Sequence, residues 1–497
     1  MSLVGKISRK FKEYRQQKHL THILSDAESM KRDALAKTMP QRWLETTNAT
    51  ILHLKAPRFP KDITVNQDPE MPKAAWQLTL SEETSALRYG TGVERAGSSI
   101  FEGVWSASFA AFDFENADYV FGSGVTSKPE GCLVLTPPTH MLESIFVLYD
   151  AERNTLAASN SLAGVLACLP EDIREGFVAK TSDMIRAVND AQTDAGLFGY
   201  DPKVLEYESV ELHAVFAHNL VLFPGQSPRF SLRLNEQIYD RYEDYVGFLR
   251  QVLASVFENG ADPARSTAVF DPASCISAGY DSPAVTVLAM GLGVNNAFTL
   301  DLTVHTVNDS GQEIARDLGV KCTSFVHPAG KVIDNLNMMY EGDLAETAQE
   351  FIGTAGFGDD ILYAAFESVL PNKILLDGRF GDGIWAKDTM KAAGAPVNIS
   401  FNKSITEFRL RVGFVLIPVP TIGAEFPESI ARISRSKEMQ DWSVGGHYDR
   451  PIPRRLVEQA GGQRGNFGQK KGAANPNPLN FDDLKLDALK AMVDRYL

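Results

Sequence analysis

The residues best placed to do chemistry are Ser277, Gly279, Asp281 and Ser282, in the stretch Ser277-Ala278-Gly279-Tyr280-Asp281-Ser282. The apolar run ASCIS (273–277) leads into them and reads as a strand. Pro283 follows, at a position natural for the first turn of a helix. The stretch therefore reads as a turn from a strand into a helix N-terminus, where backbone N–H groups and the helix dipole favour an anion. The two serine hydroxyls add donors. Asp281 would repel a phosphate unless a cation lies between them, and Mg²⁺ is the usual bridging cation. An ordinary strand-to-helix turn with serine caps and an acid in its first turn fits the same residues.

Such a turn needs a scaffold. From residue 235 the pattern is helix, then alternating strands and helices: NEQIYDRYEDYVGFLRQVLASVFENG (235–260) as a helix, ASCIS, a helix over 283–291, AFTLDLTV (297–304), a helix over 310–319, KCTSFVH (321–327), a helical stretch over 332–342, and the strand KILLDG (373–378). This rhythm predicts a parallel sheet covered by helices, with ligands at the carboxyl ends of its strands. Before residue 230 the strand-like pieces are short and closely spaced: TILHLKA (50–56), SASFAAFDF (106–114), GCLVLT (131–136), SIFVLYD (144–150) and AVFAHNLVLFP (214–224). They predict antiparallel sheets, with a helix over 180–192. We therefore expect two domains, residues 1–234 and 235–497, combining α+β and α/β architecture.

The chain has 497 residues with 49 basic and 63 acidic side chains, a formal net charge of −14. That balance argues against coating nucleic acid. The four cysteines, Cys132, Cys168, Cys275 and Cys322, are too scattered for a zinc or redox motif and read as core thiols of a reducing compartment. No apolar run approaches the ~20 residues of a membrane span, and the basic N-terminus lacks the apolar core of a signal peptide. The expectation is a cytoplasmic protein with no membrane span. His305, His327 and His447 show no metal-ligand spacing, Trp385 reads as core or as a wall of an acceptor pocket, and Asp359-Asp360 reads as a helix start.

SAGYDS resembles the SGGxDS pyrophosphate loop of the ATP pyrophosphatase superfamily, and of its asparagine synthetase-like members in particular. Further segments follow in the family's order: AFTLDL (297–302), NDSGQEIARDLGVKCTSFVH (308–327), KILLDGRFGDGIWAKD (373–388), EFRLRVGFVLIPVP (407–420), YDRPIPRRLVEQAG (448–461) and GNFGQKKGAA (465–474). The resemblance implies an adenine-nucleotide alpha-hydrolase-like (PP-loop) domain behind an antiparallel Ntn-hydrolase-like domain. It implies an enzyme that splits ATP between its α and β phosphates, adenylates a carboxylate and lets an amine or ammonia displace AMP. Ser277, Ala278, Gly279, Tyr280, Asp281 and Ser282, with Leu300 and Gly378, would hold ATP and its pyrophosphate. Asp281 and Asp382 would hold Mg²⁺. Lys470, with Lys471 as second choice, would neutralise the departing pyrophosphate. Arg409, Arg411, Arg454 and Arg455 stay undecided, and a homodimer is compatible with the pattern.

Three departures qualify the resemblance. Ala278 replaces a glycine, which costs on the order of 1 kcal/mol only if that position needs a positive φ. Arg379 stands where asparagine-forming members carry a glutamate; it cannot act as a base, and would instead bind an anionic substrate or the α-phosphate. The chain begins Met1-Ser2-Leu3, and its first cysteine is Cys132. The N-terminal cysteine on which glutaminase activity depends is therefore missing, and Ser2 would substitute poorly. The amide nitrogen would then come from an amine on the substrate, an amine co-substrate or free ammonia. Alternatives are a nucleotide-binding protein without activity, and sulfur transfer, which the cysteine placement disfavours.

Overall fold

The computed structural model describes residues 57–195, 201–231, 233, 237–304, 307–327, 332–333, 337–338, 341–356, 358, 360–387, 404–425, 427–469, 477–478 and 480–497. The expected strand at 50–56 lies outside them.

Among the described residues, thirteen strands precede residue 235: β1 (Thr64–Gln67), β2 (Trp76–Leu80), β3 (Ser85–Tyr89), β4 (Glu94–Ala96), β5 (Ser99–Trp105), β6 (Val120–Ser127), β7 (Leu133–Thr136), β8 (Ile145–Asp150), β9 (Thr155–Ser159), β10 (Lys203–Tyr207), β11 (Val210–Val215), β12 (Asn219–Leu222) and β13 (Arg229–Ser231). They form a seven-stranded sheet in the order β1-β3-β2-β9-β8-β11-β10 and a six-stranded sheet in the order β13-β12-β7-β6-β5-β4. Every pairing is antiparallel except that of β1 with β3. The two sheets pack face to face. Helices α1 (Leu162–Ala167) and α2 (Glu171–Ala195) cover the outer face of the larger sheet.

β8 shows why its sequence does not alternate. Ile145, Val147 and Tyr149 pack into the core between the sheets, while Phe146 and Leu148 pack on the helical side. A strand covered on both faces needs apolar residues throughout. SASFAAFDF is not a strand but two short 3₁₀ turns, Phe109–Ala111 and Phe114–Asn116. Its phenylalanines fold back onto Trp105 and Phe101 in an aromatic cluster, which outweighs the alternating pattern.

The later part is built on five parallel strands: β14 (Asp271–Cys275), β15 (Asn296–Leu300), β16 (Lys321–Phe325), β17 (Lys373–Asp377) and β18 (Val415–Pro418), in the order β16-β15-β14-β17-β18. Its helices are α3 (Tyr242–Gly260), α4 (Asp281–Met290), α5 (Gln312–Leu318), α6 (Asp343–Ile352), α7 (Gly381–Ile384), α8 (Thr406–Val412), α9 (Pro427–Arg435), α10 (Pro451–Gln459) and α11 (Phe481–Asp494). α3 begins at Tyr242, later than the sequence pattern suggests, because Arg241 is extended. Within the expected helix at 332–342, the described pieces Val332–Ile333 and Asn337–Met338 are two-residue strands, and α6 starts at Asp343.

The two sheet systems share a core. Val104 and Phe121 of the six-stranded sheet, with Tyr119 just before β6, pack in one cluster with Leu249 and Leu253 of α3 and Leu375 of β17. α11 returns to the seven-stranded sheet, where Leu489, Met492 and Tyr496 join the cluster built on α1 and α2. Tyr496 and Ser161 both donate to the buried carboxylate of Glu407, at 3.1 and 2.6 Å. Burial nevertheless pushes the Glu407 carboxyl up from 4.5 to about 7. A carboxyl raised in the folded state contributes stability below its unfolded pKa and loses it as pH rises through the folded one. Wild-type stability is thus expected to fall between pH 4.5 and about 7, by up to about 3 kcal/mol at 1.36 kcal/mol per pKa unit. Urea titrations across that window should show this slope flattened in Glu407→Gln.

Candidate functional site

The strand order puts β14 and β17 side by side at the point where the sheet changes winding direction, the place where sheets of this kind leave a crevice beyond the carboxyl ends of their strands. The SAGYDS turn leaves β14 there, and the turn Gly378–Gly383 leaves β17.

The first turn is held by its own serines. Ser277 N–H donates to Ser282 Oγ at 2.9 Å, the two hydroxyls lie 3.0 Å apart, and Gly279 N–H donates to Ser277 Oγ at 3.3 Å. Ala278 N–H donates to Asp309 O at 3.1 Å. Ala278 is not among the residues with positive φ, so alanine carries no backbone penalty. Gly279 does not have positive φ either, and a Cβ there would first meet Ser277 Oγ at 3.4 Å. Among the described residues the only other atom within 4 Å of that Cβ is Tyr448 Oη at 3.8 Å, so a methyl group there fits without a clash. Leu300 ends β15, the neighbour of β14, and is half-buried.

The second turn abuts the first. A Cβ on Gly378 would lie 2.7 Å from Ser282 N and 2.8 Å from Asp281 C, and one on Gly381 would lie 2.3 Å from Asp281 Cγ. These contacts demand glycine. Between them Phe380 is buried with φ 67°, an uncommon conformation for an aromatic residue. Asp382, in the first turn of α7, is exposed.

A third segment closes on both. Gly468 N–H donates to Ala278 O at 2.8 Å. Gly468 has φ 62°, and a Cβ on it would lie 2.3 Å from Tyr280 Cε1. Tyr280 is buried beneath Tyr448 and Phe467, with ring centroids 4.8 and 5.9 Å away. Arg454 lies over its ring and donates to its hydroxyl. The Tyr280 side chain is therefore an anchor for the third segment. Lys470 follows Gly468 by two residues; it and Lys471 lie outside the described residues.

Arg379 differs from expectation. Its Nη2 lies 2.7 Å from Asp360 Oδ1, its Nε donates to Asp377 Oδ2 at 2.8 Å, and its backbone N–H donates to Asp377 Oδ1 at 2.6 Å. Burial opposes its charge, but Asp360, Tyr363 and Asp377 more than offset this and hold its pKa well above normal. With two carboxylates on one guanidinium, no surplus charge is left for an anionic substrate. Asp360 is thus an ion-pair partner as well as the cap of a 3₁₀ helix. Trp385 is fully buried and donates to Tyr245 Oη at 2.9 Å, which makes it core rather than pocket wall.

Sequence reasoning missed Arg450. Its guanidinium is buried, lies 4.9 Å from the Tyr448 ring centroid and forms an ion pair with Asp281 Oδ2. Asp382 adds to the field that keeps Arg450 charged. Only the proline after Arg450 hinted at a fixed helix start. Nearby, burial pushes the Asp309 carboxyl up to about 7. Two aspartates on touching turns are the right donors for Mg²⁺, which is commonly held by one or two carboxylates together with phosphate oxygens and water. Among the described residues no three His, Cys, Asp or Glu side chains come together to hold a metal. The carboxylates suit Mg²⁺; the guanidinium on Asp281 does not.

No family model matches the chain, and no curated protein matches it. Among solved structures the chain is similar to a predicted subunit of tRNA methyltransferase from Methanocaldococcus jannaschii, with 17% identity over 40% of this chain and 91% of that one, at a TM-score of 0.19. A likeness that low carries no functional argument. No helix among the described residues is long and apolar enough to cross a membrane.

Proposed function

We propose that the protein is an ATP-dependent ligase that activates a carboxylate as its acyl-adenylate and forms an amide, releasing AMP and pyrophosphate. The observation that carries this reading is the convergence of three glycine-containing turns, at 277–282, 378–383 and 465–469, beyond the carboxyl ends of β14 and β17. The N–H groups at the start of α4 and the serine hydroxyls around Gly279 would cradle the pyrophosphate, with Leu300 toward the nucleoside. A carboxylate oxygen attacks the α-phosphorus and the bond to pyrophosphate breaks. An amine or ammonia then attacks the carbonyl carbon, the bond to AMP breaks and the nitrogen loses a proton. Mg²⁺, held by Asp281 and Asp382, would supply charge neutralisation on the phosphates. Lys470 or Lys471 would meet the leaving-group charge. The antiparallel region is proposed as an Ntn-like domain without glutaminase activity, and the protein as cytoplasmic.

Arg450 on Asp281 favours a second reading, nucleotide binding without turnover. Incubation with ATP, Mg²⁺ and panels of carboxylates and amines separates the two. AMP and pyrophosphate are expected. Release of ADP and phosphate alone would overturn the ligase reading, and ATP binding without any cleavage would favour the second.

A further inference from the structure

The guanidinium of Arg450 occupies the carboxylate that the proposed reading gives to a metal. Both sides of the pair are shielded, with Arg450 5% and Asp281 18% exposed at the side chain. Solvent therefore screens their mutual attraction poorly, and would screen poorly the repulsion between Arg450 and any second cation. Asp281 is closely backed: there is no room for a Cβ on Gly381 beside its Cγ, nor for one on Gly378 beside its main chain. The carboxylate has little freedom to turn away from Arg450 toward another partner. Arg450 itself lies just before α10, whose first residues Pro451 and Pro453 stiffen the backbone, so it is the side chain that has to move. The aromatic neighbour, Tyr448, gives the guanidinium a face to rest on but no opposing charge.

From these contacts we propose that Arg450 is an internal counter-cation at Asp281 that competes with a divalent metal for this carboxylate, so that metal enters the SAGYDS turn only when Arg450 leaves. Even counting Asp382, which also acts on Arg450, two carboxylates cannot balance a guanidinium and a divalent ion in a shielded site. A guanidinium released from Asp281 is a strong partner for phosphate oxygens, so nucleotide and metal would enter together and metal alone would be refused. The identity of the nucleotide rests on the function proposed above; the competition for Asp281 does not.

The test uses Mn²⁺ alone, titrated into the full chain without nucleotide and followed by loss of the free-ion paramagnetic signal. Wild type should bind weakly. Arg450→Met should bind Mn²⁺ at least ~10-fold more tightly, as expected for a free-energy gain of the size of one opposing charge. Adding Asp281→Asn to Arg450→Met should abolish the gain. Equal affinity in wild type and Arg450→Met, or a gain that survives Asp281→Asn, would overturn the proposal. Should Arg450→Met fail to fold, Arg450→Lys serves: its mobile ammonium holds the carboxylate less well, so a smaller gain is expected, and no gain is the overturning result. Because no ATP is present, a chain that forms no AMP can still pass this test, and an active ligase can fail it.

Discussion

Arg409→Met is expected to destabilise the protein by about 3–5 kcal/mol, the usual cost of removing one partner from a buried ion pair. Arg409 is 2% exposed and sits on α8. Its Nη1 and Nη2 grip Glu102 of β5 at 2.8 and 2.9 Å, its Nε donates to Glu143 at 2.6 Å, and Nη1 also donates to Phe414 O at 3.1 Å. One guanidinium thus ties the six-stranded sheet to the approach to β18. Methionine fills the volume but leaves two carboxylates buried without a counter-charge. Burial already pushes the Glu143 carboxyl up, and Arg409, with a smaller contribution from Arg379, holds it down. Without Arg409 the folded-state pKa of Glu143 rises further, so the loss grows as pH rises and shrinks as that carboxylate protonates. Urea denaturation at about pH 8 should show the full deficit and at about pH 5 a smaller one. Adding Glu102→Gln and Glu143→Gln should recover part of it. A deficit below ~1 kcal/mol at the higher pH would mean that these charges contribute no more than a surface pair.

That network also marks the limit of what the sequence discloses. The sequence leaves both arginines of EFRLR undecided, because nothing local says that Arg409 points inward; its partners lie 307 and 266 positions away. Arg450 and Asp281, 169 positions apart, pose the same difficulty. The alternation of strands and helices after residue 235 was legible because each parallel strand is a short apolar run bounded by a turn and followed by a helical pattern. The first two site turns follow from it, since both leave strand ends. The region before 230 was harder. β1 reads TVNQ and β10 reads KVLEY, edge strands with too few apolar residues to stand out. AVFAHNLVLFP breaks at Phe216–His218 into β11 and β12, which belong to different sheets, with Ala217 at φ 61° as the hinge residue. Tyr280 illustrates a subtler point: it lies inside the motif, yet its ring and hydroxyl are committed to Gly468, Phe467 and Arg454. A motif gives the path of the backbone, while packing decides which of its side chains remain for a ligand.

Gly378 and Gly279 turn that distinction into an experiment. Gly378→Ala places a methyl group 2.7 Å from Ser282 N and 2.8 Å from Asp281 C. Both are backbone atoms at the start of α4, so the clash cannot be relieved by a side-chain rotation, and the two turns must separate. If the turns together position the phosphates, a displacement of ~1 Å costs on the order of 100-fold in turnover. The ATP–pyrophosphate exchange rate of the Gly378→Ala protein should fall by about that much, and its Tm should drop as well, because overpacking strains the fold by ~1–3 kcal/mol. Gly279→Ala makes the opposite demand. Its methyl group meets nothing closer than Ser277 Oγ at 3.4 Å, and its φ needs no glycine, so stability should stay within ~0.5 kcal/mol of wild type. Yet the face of Gly279 is where the proposed pyrophosphate would approach the backbone, and ATP affinity should fall when a methyl group is added there. Unchanged affinity in Gly279→Ala would take the nucleotide away from this turn. Full activity in Gly378→Ala would show that the contact between the turns of β14 and β17 serves packing alone.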